Sequence, residues 1–366
     1  FPTRRSSDLL FREFLRTDPR DPDWFDRDRF VLSAGHMSML LYGLLLFQDR
    51  LDLDDLKNFR QWGSRTPGHP ERGATPGVEA TTGPLGQGLG MAVGMAAAET
   101  LLRARLGRDI CDHRTWVLAS DGDLQEPVAL GSAALAGHWG LGKLTVLYDA
   151  NSIQLAGPVS RADSTDYAAV FAAMGWHVQD IDGHDHAAIR AALEAAVAET
   201  GRPSLVIGRT VMAKGSATLE GSSAAHGSPF SPEEIRASKV KLGLPPDEDF
   251  SVPEEVLLHF RSHYVGLTAE AGSWRRRLTE HLDRYEEFAQ YWDRARSPRT
   301  GFRPEWPRFE PGKKVATRTA WGQCLMALAK AHPLVAGGSA DLDPSNMTEE
   351  FREAAGVFAP DDPWGR

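Results

Sequence analysis

The residues most suited to chemistry are Asp121, followed by Gly122, and Asn151, which stand 30 positions apart, each just past a strand-like apolar run. In open α/β sheets, ligands bind at the carboxyl ends of the strands. If the two strands are neighbours, the Asp121 carboxylate and the Asn151 side-chain carbonyl converge, and the turn after Asn151 adds the Ile153 backbone carbonyl. Three hard oxygens suit Mg²⁺ or Ca²⁺ rather than zinc and leave positions open for a diphosphate and water. An isolated Asp-Gly or Asn-Ser pair is also simply a favoured turn, and it is the strands in front of both that shift the reading. A second candidate is the loop Gly83-Pro84-Leu85-Gly86-Gln87-Gly88 ahead of a small-residue helix, where glycines admit a close ligand and a helix N-terminus favours anions. It is not a P-loop, and Met91 takes the place of the third glycine of a dinucleotide fingerprint; a tight packing turn explains it equally well. Third come His36, His69 and His226, each beside a glycine and able to donate hydrogen bonds or move protons near neutral pH. His113, His138, His184 and His186 read as ordinary surface histidines.

The elements that must position these groups follow a β/α rhythm. Strands are expected at 115–119, 144–148, 176–178 and 204–207, with helices near 128–139 and 186–199, the latter ended by Gly201 and Pro203. The fold class is therefore α/β, a parallel sheet flanked by helices. Residues 89–106 form a helix crowded with Gly and Ala that permits close backbone packing, and 252–295 are charged and helical in pattern. Pro298, Pro304, Pro307 and Pro311 mark an extended linker. Beyond it, a helix over 315–331 and a strand at 334–336 running into Gly337 and Gly338 open a second α/β domain.

The chain has 366 residues, 42% hydrophobic and 25% charged, with a net charge of −9 and two cysteines, Cys111 and Cys324. This is the composition of a globular protein long enough for two domains. The acidic balance without a basic block argues against nucleic acid as a partner. Two distant cysteines support neither a disulfide scaffold nor a zinc site, and fit a cytoplasmic location. The longest apolar run, Met37–Phe47, is too short to span a bilayer and reads as a buried helix, so no membrane partner is expected. The first nine residues, FPTRRSSDL, match one reading frame of a library adapter and are expected to be a non-native tail. Both ends look abrupt, so the sequence is expected to be a fragment.

Taken together and in order, several segments resemble the transketolase family of thiamin-diphosphate enzymes: DRDRFVLSAGHMSML at 26–40, SRTPGHPE at 64–71, VEATTGPLGQG at 78–88, LGKLTVLYDANSI at 141–153, GWHVQDIDGHD at 175–185 and GGSADLDPSN at 337–346. The resemblance runs from about Leu10 to Thr348 and is looser over 246–312. It implies a diphosphate- and metal-binding domain at 10–250, a helical segment and linker at 251–313, and the truncated start of a pyrimidine-binding domain at 314–366. It also implies a homodimer that transfers a two-carbon ketol unit from a ketose phosphate to an aldose phosphate in the pentose phosphate pathway.

By the same resemblance, Asp121, Asn151 and the Ile153 carbonyl would bind Mg²⁺, Ca²⁺ or another divalent cation. Gly83, Pro84, Leu85 and Gly122 would line thiamin diphosphate. His36 and His226 would approach its diphosphate end, with His226 also near the sugar, and His69 would face the reacting carbon. Arg318 and Ser345 would hold the substrate phosphate. Asp341 would reach the cofactor, and Glu126 the dimer interface beside it. Ser120, Gly131 and Ser223 depart from the family pattern. Residues the family needs for catalysis fall outside the chain, so weak or absent turnover is expected of these 366 residues alone. The alternatives are a ketol transferase of the dihydroxyacetone synthase kind and a non-catalytic homologue that binds the cofactor.

Overall fold

The computed structural model describes residues 4–296, 303–332, 334–339 and 341–365, leaving aside the side chains of 4–6 and 295. Pro298 and the first three residues of the expected foreign tail lie outside the described residues. The chain forms two compact units, one running through Ala98 and joined by His113–Gly272, the other made of Glu99–Asp112 and the residues from Ser273 onward.

The first unit is built on five strands: β1 (Arg29–Leu32), β2 (Thr115–Ser120), β3 (Leu144–Ala150), β4 (His177–Asp182) and β5 (Ser204–Arg209). All neighbours are parallel, in the order β1-β2-β3-β5-β4. Every residue of β2 and β3 is buried, as near-continuous apolar runs in the middle of a parallel sheet require. Edge strand β4 carries His177, Gln179, Asp180 and Asp182 and is only partly covered. β1 is four residues long, too short to show a period of its own, and enters the sheet by pairing Leu32 with Leu118.

The expected helices α1 (Ser38–Phe47), α2 (Gln87–Leu106), α4 (Pro127–His138) and α6 (His186–Ala198) form, and two that the sequence reading did not include join them, α3 (Asp121–Leu124) and α5 (Tyr167–Ala173). Each start has a local cause. Pro127 opens α4 at a position where its missing N–H costs nothing. The Asp185 carboxylate caps α6 by accepting from the Ala187 amide at 2.8 Å. A Trp176 indole is buried with its N–H donating to the Ala133 carbonyl at 2.9 Å, which fixes α4 on the sheet. Residues Arg4–Leu9 are helical and continue into a π-helical turn at Leu10–Phe14, with Ser7, Leu9, Leu10 and Phe11 buried.

The long helix α7 (Glu254–Arg284) places Phe260, Tyr264 and Leu267 in the core of the first unit. In the second unit, α8 (Thr317–Ala331) packs Leu325 and Ala329 on Phe351. The strand expected at 334–336 does not form among the described residues. No partner strand lies among the described residues of its unit, and a lone strand leaves its ladder groups unpaired. Among the described residues no helix is long and apolar enough to cross a membrane.

Candidate functional site

The carboxyl ends of β1, β2, β3 and β5 lead into Ser33, Asp121, Asn151 and Thr210 respectively, so the sheet topology gathers the candidate groups along one edge. β2 and β3 are adjacent, with Ser120 paired to Asp149. Asp121 is buried. One carboxylate oxygen accepts from the Tyr148 hydroxyl at 2.6 Å and the other from the Ser152 amide at 3.1 Å. The 151–153 turn is thus docked on the aspartate through its Ser152 amide. Ser152 sits at φ 62°, the left-handed conformation that lets the chain reverse there. The Asn151 carbonyl accepts from the Ile153 amide at 3.0 Å while its amide group donates to Asp149 at 3.1 Å, which fixes which end of the side chain faces which way. Asp149 also accepts from the Thr210 hydroxyl.

Burial holds the Asp121 carboxyl above the usual range, against the lowering pull of the Tyr148 hydroxyl and the Ser152 and Asn151 amides. Burial likewise pushes Asp149 up to about 6, despite the Thr210 and Asn151 hydrogen bonds. Two buried carboxylates beside a carbonyl-bearing turn are costly without a cation. A divalent metal with oxygen ligands is what this donor set fits.

The second half of the site is the glycine loop. Gly83 has φ 141° and Gly86 φ 75°, backbone regions that disfavour a side chain. A Cβ on Gly88 would lie 2.5 Å from the Ser33 Cα, one on Gly35 2.7 Å from the Gly83 nitrogen, and one on Gly86 2.7 Å from the Glu126 Cβ. Leu85 reaches Gly122 so closely that a Cβ there would meet its Cδ1 at 3.0 Å. These are the close helix and strand contacts that a tight packing turn requires.

Sequence could not place the three histidines together, and the structure does. His36 and His226 stack with ring centroids 5.3 Å apart, and the His69 ring lies against Gly83, its Cγ 3.2 Å from where a Cβ would stand. The protein around His36 strips water from it, and His226 and His69 add like charge, so its imidazole is held below the ordinary histidine range; Asp123 pulls the other way. Burial does the same to His226. The His226 Nδ1 and the Thr82 hydroxyl are buried and make no hydrogen bond among the described residues. Orphaned polar atoms beside a glycine loop fit an oxygen-rich ligand.

Arg318, Asp341 and Ser345 lie in the second unit with exposed side chains. Two residues of the first unit depart from the sequence reading or escape it. His113 is buried, 3.4 Å from Asp26, not a surface histidine. Asp123 escaped notice altogether, yet it is fully buried and joins the two halves of the site by hydrogen bonds to Ser33, Gly86 and Ser120.

A family profile described as "Transketolase, thiamine diphosphate binding domain" matches residues 4–299. The chain belongs to the transketolase family. It is 46% identical over 366 residues to a transketolase from Geobacillus stearothermophilus, an alignment covering 98% of this chain and 54% of that protein. The structure is similar to transketolase from Leishmania mexicana, with a TM-score of 0.93, 39% identity, and coverage of 99% of this chain and 55% of that one. It is also similar to a Pichia stipitis transketolase in complex with sedoheptulose 7-phosphate, with a TM-score of 0.89, 36% identity, and coverage of 95% and 52%. The chain spans about half the length of these transketolases.

Proposed function

We propose that the first unit is the metal- and diphosphate-binding half of a transketolase site, and that the whole protein transfers a two-carbon ketol unit between sugar phosphates. The observation that carries this reading is the convergence, at one sheet edge, of Asp121 and the 151–153 turn with the glycine loop and three histidines. Thiamin diphosphate, when bound, supplies the chemistry that breaks and makes the carbon–carbon bond.

The chain's own residues hold and orient. Asp121, the Asn151 carbonyl and the Ile153 carbonyl take Mg²⁺ or another divalent ion, neutralising the diphosphate. Loop residues Gly83, Pro84 and Leu85, with Gly122, form the wall that a bulkier backbone would close. Held below the ordinary range, His36 and His226 are neutral at pH 7, so each offers one N–H to a phosphate or hydroxyl oxygen without repelling the metal. His69, against Gly83, faces the position of the reacting sugar carbon. Arg318 offers a planar fork for a sugar phosphate, and Ser345 a hydroxyl. Asp341 and Glu126 serve the cofactor across a homodimer.

The test is a calorimetric titration with thiamin diphosphate with and without Mg²⁺, followed on the whole protein by coupled turnover of xylulose 5-phosphate with ribose 5-phosphate. Metal-dependent binding and turnover are expected. Absence of metal-dependent binding overturns the site assignment. Turnover with formaldehyde in preference to ribose 5-phosphate would instead identify a dihydroxyacetone synthase-like enzyme.

A further inference from the structure

We propose that Asp123 is a positioning residue that locks the glycine loop to the end of β2, beside Asp121, and thereby sets the affinity for the cofactor's diphosphate. The inference rests on the function proposed above and extends it to a residue with no expected ligand contact. Asp123 sits on the single-turn helix α3, two residues after Asp121. One of its oxygens accepts from the Ser33 hydroxyl at 2.7 Å and from the Gly86 amide at 2.8 Å. The other accepts from the Ser120 amide and the Ser120 hydroxyl, both at 3.0 Å. The Ser33 oxygen in turn accepts from the Leu89 amide at 3.2 Å, in the first turn of α2. A single carboxylate therefore ties together the segment after β1, the end of β2, the glycine loop and the start of α2.

The two oxygens are not equivalent to a general polar contact, because each receives one backbone N–H that cannot turn round. Gly86 donates to one and Ser120 to the other. Only an acceptor at both positions satisfies the site, and Asp is the smallest side chain that provides it. Replacement by Asn, whatever its rotamer, sets an NH₂ group against one of these fixed amides. The Gly86 amide then loses its partner, or the Ser120 amide beside Asp121 does. Either movement shifts one half of the site relative to the other, and groups that orient a metal's ligands carry a 10- to 100-fold share of its affinity.

The arrangement also accounts for Ser120, which stands where the family pattern has glycine. Its hydroxyl does not crowd the turn, since Asp123 receives it.

The experiment compares the whole protein with its Asp123→Asn, Ser33→Ala and Ser120→Gly variants by titration with thiamin diphosphate and Mg²⁺, alongside near-ultraviolet circular dichroism and hydrogen exchange across residues 83–89. Asp123→Asn is expected to weaken cofactor binding on the order of 10- to 100-fold and to speed exchange at Gly86, with the folded signature retained. Ser33→Ala, which removes one donor and the Leu89 acceptor, is expected to cost about 3- to 10-fold. Ser120→Gly keeps its amide donor and should change affinity less than about 3-fold. Unchanged affinity in a folded Asp123→Asn overturns the inference while leaving the proposed function standing. If that variant fails to fold, wild-type affinity in Ser33→Ala overturns it. Failure of the unsubstituted whole protein to bind at all overturns the proposed function, and this inference with it.

Discussion

The residues assigned to the cofactor end and those assigned to the sugar-phosphate end are held in opposite ways. At the cofactor end Asp121, Asp123 and Asp149 are buried, and each carboxylate oxygen of the first two already accepts a hydrogen bond from a neighbouring strand, turn or loop. At the phosphate end Arg318 and Ser345 have exposed side chains, the first in α8 and the second in the short helical turn Asp343–Asn346. A diphosphate held through a metal needs ligands fixed before it arrives, because reorganising them would consume binding energy. A phosphate met by a long guanidinium in water can be bound by a group that orders on contact. Substitutions at the cofactor end should therefore separate binding from stability, and those at the phosphate end should touch stability hardly at all.

The largest effect is expected from Asp121→Ala. It removes the oxygen ligand proposed for the metal, and metal-dependent binding of thiamin diphosphate should fall on the order of 100-fold or more. Stability should change little, because the relief from burying a carboxyl held above its usual range is offset by the Tyr148 hydroxyl and Ser152 amide that lose their acceptor. Calorimetry and urea denaturation together check both halves. A large loss of stability with intact binding would reverse the comparison.

Gly88→Ala is the converse. Its Cβ would stand 2.5 Å from the Ser33 Cα, a backbone atom that cannot step aside. The expected cost is about 1–3 kcal/mol in urea unfolding, with cofactor affinity falling as Ser33 is pushed away from Asp123. A midpoint equal to that of the unsubstituted chain would show that α2 slides freely on β1, and the loop would then not be preassembled.

What could be read from the sequence divides along the same line. β2 and β3 announced themselves because central parallel strands are apolar throughout, and the Asp121 to Asn151 spacing followed from their adjacency. β1 did not, since four residues fall short of any period. Asp123 looks like one more solvated acid, although Ser120 three residues before it is the spacing of a helix start in which serine and acid bond each other's backbone. That local signal was present and would have pointed to it. The burial of His113 has no such signal: it follows from how the stretch before β2 lies against Asp26, which only the fold determines. Leu334-Val-Ala carries strand residues, yet a strand exists only where another accepts its hydrogen bonds.

A smaller effect is expected from pH. Burial holds His113 below its ordinary 6.5, against the pull of Asp26. As pH falls below about 6.5 the unfolded chain takes up this proton before the folded chain does, so stability is complete above that value and declines beneath it. Urea midpoints measured from pH 7.5 down to pH 5 should fall, and His113→Asn should flatten the decline without abolishing it, since His36, His226 and His263 are lowered too. An identical slope in the variant would mean that His113 is free to charge in the folded protein.

The smallest effect on the fold belongs to Arg318→Ala. The side chain is exposed at the start of α8, and surface substitutions of this kind stay within about 0.5 kcal/mol. Thiamin diphosphate binding should be unchanged, because none of the groups that fix the metal turn belong to α8. The whole protein should instead show a raised KM for phosphorylated donors, with little change for a donor that lacks the phosphate, as expected for a group that contributes binding rather than positioning. A drop in kcat shared by phosphorylated and unphosphorylated donors would place Arg318 among the preassembled residues, and the contrast between the two ends of the site would fail there.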